Sequence, residues 1–146
     1  HQGNGTAVIF AGDARVFTLS FHQERNYPSV KPPSDLDVGL ADRTGDAEYM
    51  ALLREHLPAV LERFHPDLTF YLAGADPYRE DQLGGLCLSV EGLRDRDAYV
   101  FDTLRSAGVG VAVTLAGGYA IREADTVRIH TTTVEEAARA LTRPPA

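Results

Sequence analysis

The sequence predicts an α/β protein with a mostly parallel sheet. Three apolar runs rich in β-branched residues predict buried strands at 16–21, 68–73 and 109–115. Such near-continuous apolar runs are expected of parallel strands that are covered on both faces. Helical patterns lie between the runs, and strands that alternate with helices indicate right-handed βαβ units.

Apolar spacing and capping residues predict three helices. Asp46 can cap a helix that runs to about Phe64, and Ser89 can cap a second one. A third helix is predicted to begin near Thr133 with a capping box and to end at the prolines of 144–145. We find no internal repeat and no domain boundary, so residues 1–146 are interpreted as part of a single domain.

The composition excludes several classes of function. The net charge of −7 argues against direct binding of nucleic acid, because phosphate contacts need clustered Lys and Arg. No segment approaches the ~18 apolar residues of a membrane span, and no signal peptide is recognised. The single cysteine excludes an internal disulfide and suits a reducing compartment, so we expect a cytoplasmic protein. Thirteen arginines against one lysine indicate a GC-rich, bacterial source.

Polar and glycine-rich segments follow two of the predicted strands. The first strand end leads into GAD at 74–76, and the second leads into GGY at 117–119. The chain also opens with HQGNG at 1–5, a polar turn before a short helix. Ligands of open α/β sheets bind at the carboxyl ends of the strands, and a parallel sheet would bring these segments to one edge. Taken singly, each segment also suits an ordinary turn, a packed aromatic residue or a disordered terminus.

Together these segments resemble the histone deacetylase and acetylpolyamine amidohydrolase superfamily. The matching segments cover nearly the whole chain in the family's order: HQGNGT (1–6), VFTLS (16–20), NYP (26–28), TGD (44–46), AGAD (73–76), DQLG (81–84) and GGY (117–119). The opening HQGNG, where many relatives have HHGDG, is most similar to class IV. The resemblance implies a three-layer αβα, arginase/deacetylase-like fold, of which residues 1–146 form the C-terminal part of one domain.

The resemblance implies a zinc ion held by two aspartates and one histidine. His1 matches the histidine ligand and Asp76 matches one aspartate, while the other would lie two residues before His1 and so outside this sequence. Such a site leaves zinc an open position for water and a substrate carbonyl. We therefore expect residues 1–146 alone to bind zinc poorly and to be inactive. The family's pair of adjacent histidines has no match, although His22 and His130, predicted at strand ends, could support the site.

The resemblance also assigns residues to the substrate. Tyr119 matches the tyrosine whose hydroxyl faces the scissile carbonyl, where it would stabilise the oxyanion. Gly117 and Gly118 let the backbone approach the substrate closely. Tyr27 and Leu83 match walls of a narrow apolar tunnel for an acylated lysine or polyamine-like amine. A packed loop aromatic is an equally good interpretation of Tyr27.

Two structural potassium sites are implied in the same way. Ser20, with the carbonyls of His1 and Phe21, matches a site beside the zinc, and Phe10, Asp13 and Val16 match a more peripheral one. Ser20 can alternatively satisfy a buried backbone group.

The leading hypothesis is a zinc-dependent hydrolase that removes acetyl or longer acyl groups from lysine side chains or related amines. An alternative is a non-catalytic module of the same fold that binds an acylated ligand. A nucleotide-binding α/β domain is disfavoured, because neither G-x-G-x-x-G nor a Walker pattern is present.

Overall fold

The computed structural model describes residues 1–142, which form four helices and four strands. In chain order these are α1 (Asn4–Ile9), β1 (Leu19–Gln23), β2 (Leu36–Leu40), α2 (Asp46–Phe64), β3 (Leu68–Gly74), α3 (Val90–Ser106), β4 (Gly110–Ala116) and α4 (Glu123–Thr142). Within this range no helix is both long enough and apolar enough to cross a lipid bilayer.

The described strands pair in parallel, which confirms the predicted α/β class. β1 pairs with β2 from Leu19 opposite Leu36, and β3 pairs with β4 from Leu68 opposite Gly110. β3 and β4 lie within one residue of the predicted strands, whereas β1 begins three residues later than predicted. β2 was not predicted. Both pairs place their carboxyl ends next to the segments that carry the candidate site.

A single hydrophobic core connects the two strand pairs with α2, α3 and α4. Its best-buried members include Leu40, Leu53, Leu88, Leu93, Leu104 and Ile129. The face of β3 that carries Leu68, Phe70 and Leu72 is exposed within the described part of the chain. The sequence predicts that this strand is covered on both faces. Within the described residues, only the face opposite Phe70 packs against the core.

Asp46 does not cap α2 as predicted, and its side chain instead connects the start of α2 to the start of α3. The N-cap is Gly45, and Asp46 is the first helical residue. The Asp46 carboxylate accepts hydrogen bonds from the backbone N–H of Ser89 at 2.8 Å and from its hydroxyl at 2.7 Å. Ser89 caps α3 as predicted, because its Oγ accepts from the N–H of Gly92 at 2.9 Å. The two helix starts are therefore fixed to each other through one carboxylate.

The last helix begins ten residues before its predicted start. α4 starts at Glu123 with Asp125 in its first turn, where acidic side chains favour the positive end of the helix dipole. Thr133 lies inside the helix and does not cap it. Its buried hydroxyl donates to Asp97 Oδ2 at 2.6 Å. The predicted stop at 144–145 lies outside the described residues.

A buried ion pair connects α3 to the end of β3. Arg96 and Asp97 are almost fully buried, and Arg96 Nε donates to Asp97 Oδ1 at 2.9 Å. Asp97 also accepts from the hydroxyls of Tyr71 at 2.5 Å and Thr133 at 2.6 Å. Arg96 Nη1 donates to the carbonyl of Gly74, the last residue of β3, at 2.7 Å. Burial raises the pKa of Tyr71 well above its usual value, which keeps its hydroxyl a donor.

We expect Arg96→Met in the full-length protein to lower the free energy of unfolding by about 3–5 kcal/mol, because it leaves the Asp97 carboxylate buried without its cation. Urea titration followed by circular dichroism measures the change. Arg128→Met is the matched control, since Arg128 pairs with Glu91 at 3.3 Å on the exposed surface. Such surface pairs contribute about 0–1 kcal/mol. Equal losses in the two variants would contradict a structural role for the buried pair.

Candidate active site

Two predicted metal ligands meet at the carboxyl end of β3. Asp76 follows this strand by two residues, and its Oδ2 lies 2.9 Å from Nδ1 of His1. The Asp76 side chain is largely buried, whereas His1 reaches the surface. The strand end and the first residue of the sequence therefore place a nitrogen and an oxygen donor side by side.

Three glycines make room for Asp76. A Cβ on Gly74 would lie 2.6 Å from Asp76 Oδ1, and one on Gly117 would lie 3.1 Å from the same atom. A Cβ on Gly84 would overlap the backbone carbonyl of Asp76. Gly117 also has a φ of +61°, a conformation that glycine adopts without strain. Gly74 at the end of β3 and Gly117 after β4 thus lie against the same carboxylate. This agrees with the prediction that the carboxyl ends of the two strands meet at one edge of the sheet.

The backbone of Tyr119 is fixed by the loop of 81–84. Its N–H donates to Asp81 Oδ2 at 2.6 Å. Its carbonyl accepts from the backbone N–H of Gln82 at 2.9 Å and from the Gln82 side-chain amide at 3.1 Å. The Tyr119 side chain is exposed. The tyrosine is therefore held by its backbone while its ring remains accessible.

The two predicted tunnel residues come from loops that are hydrogen-bonded to each other. Asn26, next to Tyr27, donates from Nδ2 to the carbonyl of Leu83 at 2.9 Å. Gln23 Oε1 accepts from Asn26 Nδ2 at 2.9 Å and from the N–H of Gly85 at 2.8 Å. Tyr27 and Leu83 both expose their side chains. Asn26 belongs to the NYP segment that carries the family resemblance, but neither Asn26 nor Gln23 was predicted to act at the site.

Ser20 hydrogen-bonds a backbone group, which is the alternative to its interpretation as a potassium ligand. Its hydroxyl donates to the carbonyl of Gln2 at 2.6 Å and lies 3.0 Å from Nδ1 of His22. His22 is buried in β1, and this burial lowers its pKa below the usual value, although the Asp37 carboxylate partly opposes the shift. The ring of the neighbouring Phe21 lies 5.6 Å from that of Tyr49 and 6.3 Å from that of His56, both in α2. The potassium assignment of Ser20 and Phe21 stays a prediction.

The residues of the second predicted potassium site form successive turns. The N–H of Asp13 donates to the carbonyl of Phe10, and the N–H of Val16 donates to the carbonyl of Asp13, both at 3.0 Å. The hydrogen bond from the Arg15 side chain holds the pKa of Asp13 at about 2. The Asp13 carboxylate is engaged with Arg15, and the potassium assignment of Phe10, Asp13 and Val16 stays a prediction.

One histidine contacts the candidate site from an unexpected element. His130 was predicted at a strand end, but it lies in α4, where its Nε2 is 3.2 Å from the carbonyl of Gly117. His22 lies in β1, one residue before the strand ends, close to the predicted position. Across residues 1–142, no group of three or more His, Cys, Asp and Glu side chains is arranged to hold a metal ion. The described site therefore offers two donors, His1 and Asp76.

Comparison with known proteins identifies the family. Residues 1–135 match the family described as the histone deacetylase domain. The chain belongs to this family. The resemblance seen in its motifs is thereby confirmed over nearly its whole length.

Longer proteins are among those similar to the chain. An uncharacterized protein of Picosynechococcus sp. is 45% identical over 130 residues, which cover 89% of this chain and 43% of that protein. Histone deacetylase 2 of Arabidopsis thaliana is 33% identical over 122 residues, or 82% of this chain and 32% of that protein. The structure of the histone deacetylase Clr3 superposes with a TM-score of 0.75 and 26% identity, covering all of this chain and 26% of that one. The chain thus spans less than half the length of these relatives.

Proposed function

We propose that the full-length protein is a zinc-dependent hydrolase that removes acetyl or longer acyl groups from lysine side chains or related amines. The observation that carries the proposal is the meeting of His1 Nδ1 and Asp76 Oδ2 at 2.9 Å, with Gly117 packed against the same carboxylate. Membership of the histone deacetylase family and a relative named as a histone deacetylase support it.

The donor set suits zinc. Zinc in catalytic sites takes nitrogen and oxygen donors from three protein ligands and keeps a fourth position open. His1 and Asp76 would supply one donor of each kind, and a third ligand is needed beyond the described residues. A bound zinc would polarise the amide carbonyl and lower the pKa of its water to about 7.

The remaining residues have roles in orienting and stabilising the substrate. The Tyr119 hydroxyl would donate a hydrogen bond to the oxygen on which negative charge develops. Its exposed ring and its fixed backbone are compatible with this role. Tyr27 and Leu83 would contact the aliphatic part of the acylated side chain, whose charge the acyl group has removed. Gly117 and Gly118 would let the substrate approach the backbone.

Turnover by the full-length protein tests the proposal. We expect it to release acylate from an acetyl-lysine peptide, to lose this activity when a chelator removes its metal, and to regain it with Zn²⁺. Mg²⁺ should not restore activity, because it prefers an octahedral set of oxygen ligands. Acetylated and longer-chain peptides and an acetylated polyamine, assayed side by side, determine the substrate. Chelator-resistant turnover, or no turnover of any of these amides, would refute the proposal.

A further inference from the structure

One carboxylate connects the two loops that would surround the scissile amide. Asp81 is 8% exposed. Its Oδ1 accepts from the N–H groups of Leu83 at 2.9 Å and Gly84 at 2.8 Å. Its Oδ2 accepts from the N–H of Tyr119 at 2.6 Å. The two oxygens of Asp81 therefore hold different segments, one adjacent to it and one 38 residues further along the sequence.

Backbone contacts also join these two segments. Asp81 and Ala120 form an antiparallel bridge, and the N–H of Ile121 donates to the carbonyl of Glu80 at 2.9 Å. Gly84 packs against the backbone of Asp76, so the loop that Asp81 organises also lies against a candidate zinc ligand. The backbone of Tyr119 can move only if this set of hydrogen bonds breaks.

We propose that Asp81 is a positioning residue that sets the Tyr119 hydroxyl relative to the acyl group by holding the Tyr119 backbone and the Leu83 loop on one carboxylate. The proposal rests on the proposed function. Asp81 itself touches neither substrate nor metal in this scheme. Its effect on the reaction passes through Tyr119, and geometry errors of about 1 Å at a reacting group can lower the rate by about 10²-fold.

Asn at position 81 is the informative substitution. An amide has one acceptor oxygen, so it can serve the N–H groups of Leu83 and Gly84 or that of Tyr119, but not both. The NH₂ group of the amide would then face a backbone N–H of the other segment, so that two donors oppose each other. Asp81→Asn therefore keeps the size of the side chain and breaks the connection between the two segments.

We expect Asp81→Asn in the full-length protein to lower kcat about ten- to hundredfold, with KM and bound zinc close to wild type. The decisive measurement is a double-mutant cycle with Tyr119→Phe. If Asp81 acts through the tyrosine hydroxyl, Asp81→Asn should change kcat less than about threefold once that hydroxyl is gone. Hydrogen exchange of the backbone should increase in both 81–84 and 117–120.

Asp46→Asn is the matched control, because Asp46 also accepts two hydrogen bonds from a distant segment but does not contact Tyr119. It should leave kcat near wild type. Wild-type kcat in Asp81→Asn, loss of zinc from that variant, or the same loss of kcat in the Tyr119→Phe background would each overturn the positioning role. Absence of turnover in the wild-type protein would instead overturn the proposed function on which this role depends.

Discussion

Asp76→Asn in the full-length protein is expected to lose most of its bound zinc and nearly all of its deacylase activity. The carboxylate would contribute a negatively charged oxygen donor, and a neutral amide cannot replace that charge. Loss of a residue that merely orients a metal ligand lowers metal affinity or activity about 10–100-fold, so loss of a ligand itself should exceed that range. Zinc content by atomic absorption and turnover of an acetyl-lysine peptide measure the two effects.

The control for this variant is Asp46→Asn, which removes a charge at the start of α2, where the carboxylate bonds to Ser89 and not to a candidate ligand. It should retain both zinc and turnover. Wild-type zinc content in Asp76→Asn would contradict the ligand assignment, and its circular dichroism spectrum would show whether the fold is intact.

Tyr119→Phe should lower kcat without changing the amount of bound zinc. Removing one hydrogen-bond donor to an oxyanion costs about 10²–10³ in kcat, or about 2.7–4 kcal/mol. The ring stays in place because the backbone of Tyr119 is held by Asp81 and Gln82, and neither contact uses the hydroxyl. Zinc content should therefore remain at the wild-type level while kcat falls. Stopped-time assays at saturating peptide give kcat directly.

Tyr99→Phe provides the comparison for the loss of a phenol hydroxyl elsewhere. The Tyr99 ring lies in α3, with the guanidinium carbon of Arg54 5.7 Å from its centroid. This contact uses the ring face and not the hydroxyl, so kcat should not change. If Tyr119→Phe also retained wild-type kcat, the hydroxyl would have no part in the reaction.

The sequence predicted well where local pattern and topology agree. β3 and β4 are apolar runs without breaks, and each ends in a glycine-containing segment, so both the strands and the edge that carries Asp76 and Tyr119 could be inferred. The parallel pairing of these strands then placed the two segments together. The roles assigned to these residues came from the family resemblance and remain predictions.

The errors have identifiable physical causes. β2 has only five residues, and Asp37 and Gly39 weaken its strand signal. The start of α4 was misplaced because Thr131 to Thr133 are β-branched and disfavour helix locally, whereas the hydrogen bond from Thr133 to Asp97 stabilises it in the tertiary structure. A buried Arg–Asp pair was not foreseen either, because such side chains are usually exposed.

The glycines around Asp76 impose a cost on folding. Each of Gly74, Gly84 and Gly117 gives the unfolded chain more conformational freedom than alanine would, which is worth roughly 0.5–1 kcal/mol at a position in regular structure. Replacing glycine by alanine is a common way to stabilise a protein where the backbone permits it. A Cβ at Gly74 or Gly84 would overlap Asp76, and at Gly117 it would lie 3.1 Å from Asp76 Oδ1 on a backbone whose φ of +61° strains any side chain. Asp76, the candidate metal ligand, therefore blocks this route to greater stability at Gly74 and Gly84, and the backbone conformation blocks it at Gly117.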